Sequence, residues 1–89
     1  MSKALNDIAA ERRRQEAKGF DAEHDDGHDN GELARAAICY AANGSEKLDC
    51  VAWLSPWGDD PFTTGDRRGD LVRAAAMLTA EIERLDRAA

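Results

Sequence analysis

The side chains best suited to chemistry in this chain are concentrated between residues 21 and 32. This segment, DAEHDDGHDNGE, contains six carboxylates and both histidines of the chain, and it has no Lys or Arg. The chain of 89 residues has 18 acidic and 12 basic side chains, so this one segment accounts for the net charge of −6. Carboxylates packed this densely repel one another unless a cation, a basic partner or water relieves the repulsion. The segment is therefore the first candidate for a functional site.

The end of this acidic segment has a spacing that suits a divalent cation. On a helix, Asp25 lies four residues before Asp29 and Glu32 lies three residues after it, so these carboxylates share one face. Carboxylate oxygens suit Mg²⁺, which usually also keeps water and substrate phosphates as ligands. Zinc bound by His24 and His28 is the less favoured alternative, because no cysteine lies nearby.

The same residues also have purely structural interpretations. Asp29 and Glu32 have the spacing of a capping box, in which each side chain accepts a hydrogen bond from a backbone N–H at the start of a helix. The earlier carboxylates can form a solvated loop, or they can bind a basic protein surface. In that last case the partner-binding residues are Asp21, Glu23, Asp25 and Asp26.

A basic group is predicted at the start of the last helix, where Arg67 and Arg68 occupy the first turn. The helix dipole disfavours positive charge at this position, so a negative group should lie nearby. One interpretation pairs these two arginines with the acidic segment. The other is an anion site, because a helix N-terminus and forked guanidinium groups bind phosphate well. Arg67, Arg68 and Arg73 are then the phosphate-binding residues, and the arginines at 12–14 extend the site.

Hydrophobic periodicity predicts one all-α domain covering residues 1–89, with three principal helices and no strand. The helices are predicted at 3–18, 29–43 and 67–86, from their capping residues and stop signals. The first has a thin apolar face, so at least one of its three consecutive arginines should lie against the protein body. Between the second and third helices, we expect a short helical turn at 46–54 and an aromatic lid over the helix ends.

The last helix has an apolar seam that predicts pairing with another helix. Its members step by four and three residues, as in coiled coils, and they are Leu71, Ala75, Leu78, Ile82 and Leu85. A chain of this length buries only about 60 to 65% of the surface that its unfolded form exposes. We therefore expect an antiparallel or dimer seam and a homo-oligomer.

Composition narrows the classes of function. No apolar run approaches the roughly 20 residues of a membrane span, and the N-terminus lacks the apolar centre of a signal peptide, so we expect a cytoplasmic protein without membrane contact. The acidic balance disfavours direct non-specific nucleic-acid binding, which depends on Lys and Arg contacts to phosphates. Cys39 and Cys50 match no metal-binding spacing and are expected to be free, structural thiols.

Three stretches of the chain resemble a group of short phage and prophage proteins. They are ERRRQ at 11–15, EHDDGHDNGELARAA at 23–37 and RRGDLVRAAAMLTAEIERLDR at 67–87, which together cover most of the sequence. This resemblance implies a viral or mobile-element origin, and with it a location in the cytoplasm of the host cell. It implies no particular activity.

A more distant resemblance is to the all-α nucleoside triphosphate pyrophosphohydrolases of the MazG type. In that family, an ExxE motif on one helix and an ExxD motif on a later helix hold Mg²⁺ against the triphosphate. Asp29 and Glu32 match the first motif and Asp70 matches the end of the second, whereas Arg67 stands where a carboxylate is expected and cannot bind a metal. The resemblance implies a Mg²⁺ site at Asp25, Asp29, Glu32 and Asp70, in which Asp25 or His28 replaces the missing carboxylate.

Three functions are open from the sequence. The first is binding of a phosphate-bearing nucleotide, with or without Mg²⁺-dependent hydrolysis, which for a phage protein can mean sequestering a signalling nucleotide. The alternative is an acidic anti-defence protein of the anti-CRISPR type, which imitates nucleic-acid phosphates and binds a host defence protein. The third is a small helical structural or assembly protein.

Overall fold

The computed structural model describes residues 2–42 and 66–89, and these residues form four α-helices without any β-strand among them. The helices are α1 (Lys3–Ala17), α2 (Ala22–Asp26), α3 (Glu32–Ala42) and α4 (Arg67–Ala88). The all-α prediction is confirmed for this part of the chain, and the short helix α2 is an addition to the three that were expected. The predicted turn at 46–54 and the aromatic lid lie outside the described residues.

Three of the helices begin at side-chain caps. Ser2 Oγ accepts a hydrogen bond of 3.1 Å from the Leu5 N–H at the start of α1, and Asp21 Oδ1 accepts one of 3.0 Å from the His24 N–H at the start of α2. Asp66 caps α4 by accepting from the Gly69 N–H. Each cap satisfies one of the backbone donors that a helix leaves unpaired at its N-terminus.

Helix α3 begins three residues later than the sequence predicted. Asp29 therefore lies in the loop before the helix, and Gly31 has a φ of +81°, a value that glycine adopts without steric cost. The Glu32 carboxylate reaches back to the Asn30 N–H, at 2.7 Å, rather than to Asp29. This contact joins residues two apart in the sequence, and it takes the place of the capping box predicted between Asp29 and Glu32.

Helix α4 is the centre of the described structure, since α1, α2 and α3 each pack mainly against it. The closest packing joins α3 and α4 through small side chains, which allow two helix backbones to approach each other. The buried apolar residues are Leu33, Ala36, Ala37, Cys39 and Ala42 on α3, and Ala74, Ala76 and Ala80 on α4. Cys39 is buried and forms no disulfide, as predicted; Cys50 lies outside the described residues.

The predicted apolar seam of α4 is not the face that packs inside the chain. Its four large members, Leu71, Leu78, Ile82 and Leu85, are between 44 and 59% exposed. The buried apolar residues of α4 are instead three alanines, Ala74, Ala76 and Ala80, whose small side chains permit close approach of the neighbouring helices. Pairing of the seam with a second helix stays a prediction. None of the four described helices combines the length and apolar character that crossing a membrane requires.

Helix α1 contacts the protein body through a charged residue. Its only buried side chain is Arg12, which is 7% exposed, whereas Leu5, expected to point inward, is 53% exposed. The prediction that one of the three consecutive arginines lies against the body is therefore confirmed. The contacts of this arginine determine how the acidic segment is arranged.

Candidate functional site

Arg12 joins three helices through its guanidinium group. Its Nη2 lies 2.8 Å from Asp25 Oδ2 on α2, and its Nε lies 3.0 Å from Glu83 Oε1 on α4. Its Nη1 donates a hydrogen bond of 3.1 Å to the Phe20 carbonyl, which fixes the turn between α1 and α2. Asp25 is only 1% exposed, so the most deeply buried carboxylate of the acidic segment has a structural partner.

A second arginine neutralises the next carboxylate. Arg87, near the end of α4, lies with its Nη2 at 2.7 Å and its Nε at 3.1 Å from Asp26 Oδ1. This contact raises the pKa of Arg87, since the Asp26 hydrogen bond favours the charged form. Arginines therefore do pair with the acidic segment, but they are not the two that the sequence indicated.

Arg67 and Arg68 have other partners at the start of α4. Arg67 donates to the Ala41 carbonyl near the end of α3, and Arg68 Nη2 lies 2.9 Å from Asp7 Oδ2 on α1. The pKa of Asp7 is lowered, first by its hydrogen bond with Lys3 and then by Arg68. The predicted pairing of Arg67 or Arg68 with the acidic segment is replaced by these contacts, which connect α4 to α1 and α3.

The two histidines lie next to each other at the edge of α2. Their ring centroids are 4.7 Å apart, and His24 also meets the Phe20 ring edge-on at 5.0 Å. His28 Nδ1 lies 3.2 Å from Glu32 Oε2. Although burial alone would raise the pKa of Glu32, the contacts from His28 and from the Asn30 amide outweigh it and lower that pKa.

The carboxylates predicted to bind Mg²⁺ are engaged separately. Asp25 contacts Arg12, Glu32 contacts the Asn30 amide, and the buried Asp70 has its Oδ1 3.4 Å from Arg73 Nη1. Among residues 2–42 and 66–89, no group of three His, Cys, Asp or Glu side chains is placed to hold a metal ion. The site at Asp25, Asp29, Glu32 and Asp70 therefore stays a prediction from the sequence.

All four described helices contribute to a cavity of about 350 Å³. Its wall combines apolar and aromatic side chains with three cationic side chains and one carboxylate. The described lining residues are Glu11, Arg14, Gln15, Lys18, Phe20, His24, Leu33, Tyr40, Arg73, Met77 and Ala80. We call this the first cavity.

A second cavity of about 280 Å³ adjoins the first between α1 and the start of α4. The two share Glu11, Arg14 and Arg73, so these side chains stand at the boundary between them. Arg68 and Asp7 line the second cavity as an ion pair. Of the three residues predicted to bind phosphate, Arg73 therefore lines both cavities, Arg68 lines one, and Arg67 contacts α3 instead.

Glu11 and Arg14 form a forked ion pair at this boundary. Arg14 Nε lies 2.8 Å from Glu11 Oε1, and Arg14 Nη2 lies 2.6 Å from Glu11 Oε2. Gln15 Nε2 adds a longer contact of 3.3 Å to Oε2. Burial by itself would raise the pKa of Glu11, but the Arg14 hydrogen bonds and charge outweigh it, so this pKa is lowered and the carboxylate is ionised at neutral pH.

Two further residues lie near the boundary between the two cavities. Tyr40 is half-buried on α3, and burial raises the pKa of its hydroxyl although the charge of Arg73 opposes this, so the hydroxyl keeps its proton at neutral pH. A methyl group added at Gly69 would lie 3.0 Å from Asp66 Oδ1 and 3.1 Å from Arg73 Nη1. The absence of a side chain at Gly69 thus leaves space for the Arg73 guanidinium beside the helix cap.

Sequence reasoning anticipated part of this cavity. It named Arg68 and Arg73 as phosphate-binding residues and the arginines at 12–14 as an extension of that site, and of these three Arg14 lines both cavities. It missed Glu11, Lys18 and Tyr40, because nothing in their spacing connects them to α4. Comparison of the chain with protein-family models, curated protein sequences and solved structures gave no match. Function must therefore follow from the chemistry of the cavities.

Proposed function

We propose that this protein binds a small phosphate-bearing nucleotide across the two adjoining cavities. The observation that carries the proposal is the composition of their walls. Large apolar and aromatic side chains line the first cavity and not the second, whereas Arg14 and Arg73 line both and Arg68 lines the second. A nucleotide has a corresponding composition, with a flat aromatic base at one end and anionic oxygens at the other.

The first cavity offers a suitable environment for a base. Phe20, Leu33, Tyr40 and Met77 supply apolar and aromatic surface. Small-molecule sites are typically concave and mainly apolar, with a few polar groups that orient the ligand, and the volume of about 350 Å³ falls within their usual range. We therefore propose that the base binds in this cavity.

The boundary and the second cavity offer a suitable environment for phosphate. Four cations, Arg14, Lys18, Arg68 and Arg73, line the two cavities against two carboxylates, Asp7 and Glu11, among the described residues. This local excess of positive charge stands out in a chain whose net charge is −6. Guanidinium groups bind phosphate oxygens through paired, charge-assisted hydrogen bonds.

The proposed function is binding without hydrolysis. None of the four carboxylates predicted to hold Mg²⁺ is among the described residues that line either cavity. Direct contact between arginines and phosphate is therefore the mode of recognition that we propose, and a protein that binds a nucleotide without turning it over would sequester it. Mg²⁺-dependent hydrolysis remains a prediction from the resemblance to MazG-type enzymes.

The contacts of the acidic segment weigh against the alternative of an acidic surface for a host defence protein. Of the four predicted partner-binding residues, Asp25 is buried against Arg12, and Asp26 is paired with Arg87. Asp21, Glu23 and Asp26 are exposed, and Arg87 partly neutralises the charge of Asp26. One buried carboxylate and one paired with arginine reduce the charge with which this segment could imitate a nucleic acid.

Isothermal calorimetry tests the proposal with the mono- and triphosphates of adenosine and guanosine, each compared with its nucleoside, with and without Mg²⁺. We expect nucleotides to bind more tightly than nucleosides, and we expect Arg14→Gln to weaken nucleotide binding about tenfold through the loss of a charged hydrogen bond. Arg13→Gln is the matched control, since Arg13 is exposed beside Arg14 and lines neither cavity. Equal affinity for nucleosides and nucleotides, or an Arg14→Gln variant that binds like the wild type, would contradict the proposal.

A further inference from the structure

We propose that Glu11 is an internal ligand of the anion subsite, and that an incoming phosphate displaces its carboxylate from Arg14. The inference rests on the proposed function for the identity of the anion, and it adds a means of regulating the same site. In the ligand-free chain, the Glu11 carboxylate occupies the guanidinium edge that a phosphate would use. The affinity for a phosphate therefore depends on how readily the Glu11 carboxylate separates from Arg14.

The geometry of the Glu11–Arg14 pair is that of a bound oxyanion. Two parallel N–H donors of Arg14 meet the two carboxylate oxygens at 2.8 and 2.6 Å. Phosphate and carboxylate both accept this fork from arginine, with two oxygens at similar spacing. A phosphate in the same position would receive the same two hydrogen bonds, so the two anions cannot hold this edge of Arg14 together.

The position of Glu11 connects this contact to the ligand path. Glu11 lines both cavities, and its side chain is 11% exposed, whereas its Arg14 partner is 47% exposed. The pair therefore stands where the apolar cavity meets the cavity that contains Arg68, and the guanidinium stays accessible to solvent. A nucleotide spanning both cavities would have to pass this carboxylate.

Release of Glu11 from Arg14 has a cost that falls mainly on the carboxylate. The two residues are three positions apart on α1, and Arg14 is 47% exposed, so water solvates its charge when the pair separates, whereas the Glu11 carboxylate is 11% exposed and must rotate to reach water. Once a phosphate is bound, its charge repels the nearby carboxylate, which rotates towards solvent. Removal of the Glu11 charge should thus favour anionic ligands and leave neutral ligands unaffected.

The test is calorimetry of the full chain with adenosine 5′-monophosphate and with adenosine, comparing the wild type with Glu11→Gln. We expect the dissociation constant of the nucleotide to fall about tenfold in Glu11→Gln, while that of adenosine stays unchanged. Glu81→Gln is the matched control, because Glu81 makes a similar pair with Arg84, at 2.6 Å and three residues apart, outside the described walls of both cavities. Glu11→Ala serves as a second variant, and circular dichroism checks that each variant is folded.

The remaining outcomes distinguish failure of this inference from failure of the proposed function. If the wild type binds the nucleotide and Glu11→Gln binds it equally or more weakly, Glu11 does not compete with phosphate for Arg14. That result would contradict the inference and leave the proposed nucleotide binding intact. An equal gain in Glu81→Gln would assign the effect to net charge and would also overturn the inference. If neither the wild type nor Glu11→Gln binds any nucleotide of the panel, the inference and the proposed function fall together. Binding by Glu11→Gln alone would support both.

Discussion

The guanidinium group of Arg12 on α1 lies 2.8 Å from the carboxylate of Asp25 on α2, and both side chains are almost completely buried. The same guanidinium contacts Glu83 on α4, so one charged side chain holds α1 and α2 to the central helix. The most buried part of the acidic segment therefore serves the fold. The cavities lined by Glu11, Arg14 and Arg73 are the site that we propose for a ligand.

The buried ion pair should dominate the stability of this region. Asp25→Asn removes the buried partner of Arg12 and leaves only the more exposed Glu16 and Glu83 beside its charge, so we expect a loss of up to about 3 to 5 kcal/mol, the cost of breaking a buried pair. Urea denaturation followed by circular dichroism measures the change in the free energy of unfolding. Asp26→Asn is the matched control, because it removes a neighbouring carboxylate whose pair with Arg87 is largely exposed. It should cost much less, and equal losses in the two variants would contradict the arrangement.

The exposed face of α4 gives a prediction about assembly. Leu78 is 46% exposed, so Leu78→Asp should leave the chain helical and should dissociate an oligomer that uses the seam. Ala76 is fully buried, so Ala76→Asp should unfold the chain, since an unpaired charge in the interior costs several kcal/mol. Light scattering reports the oligomeric state and circular dichroism the helix content. Unfolding by Leu78→Asp to the same degree as by Ala76→Asp would show that the seam is buried.

The lowered pKa of Glu11 gives a prediction about pH. A carboxylate whose pKa is lower in the folded chain contributes stability above its ordinary value of 4.5, and that contribution is lost as the pH falls through the folded pKa. The difference in unfolding free energy between the wild type and Glu11→Gln should therefore be largest at neutral pH. It should decrease as the pH falls below about 4.5. Urea titrations at a series of pH values measure it. A difference that does not change with pH would contradict the ionised Glu11–Arg14 pair.

The residues of the candidate site could be predicted from the sequence only in part. Arg73 was identified because it follows a helix start, and Arg14 because it belongs to a run of arginines that had to meet the body somewhere. Glu11 has no such signal, since a glutamate on an exposed helix is ordinary. Its importance appears only when α1 and α4 are placed side by side and Glu11 is found at the wall of two cavities.

The amino-acid sequence by itself determined the three longer helices to within a few residues at their ends, the caps at Ser2 and Asp66, and the inward position of one arginine on α1. These features depend on hydrogen bonds and side-chain spacing within a few residues, which local chemistry decides. Only the tertiary structure decided the ion pairs, since Arg12 meets Asp25 and Glu83 across 13 and 71 residues of chain. It likewise decided that three alanines of α4, rather than the large residues of its seam, are buried in the described part of the chain. Periodicity identifies an apolar face, but the closest approach of two helices depends on which side chains are small enough to permit it.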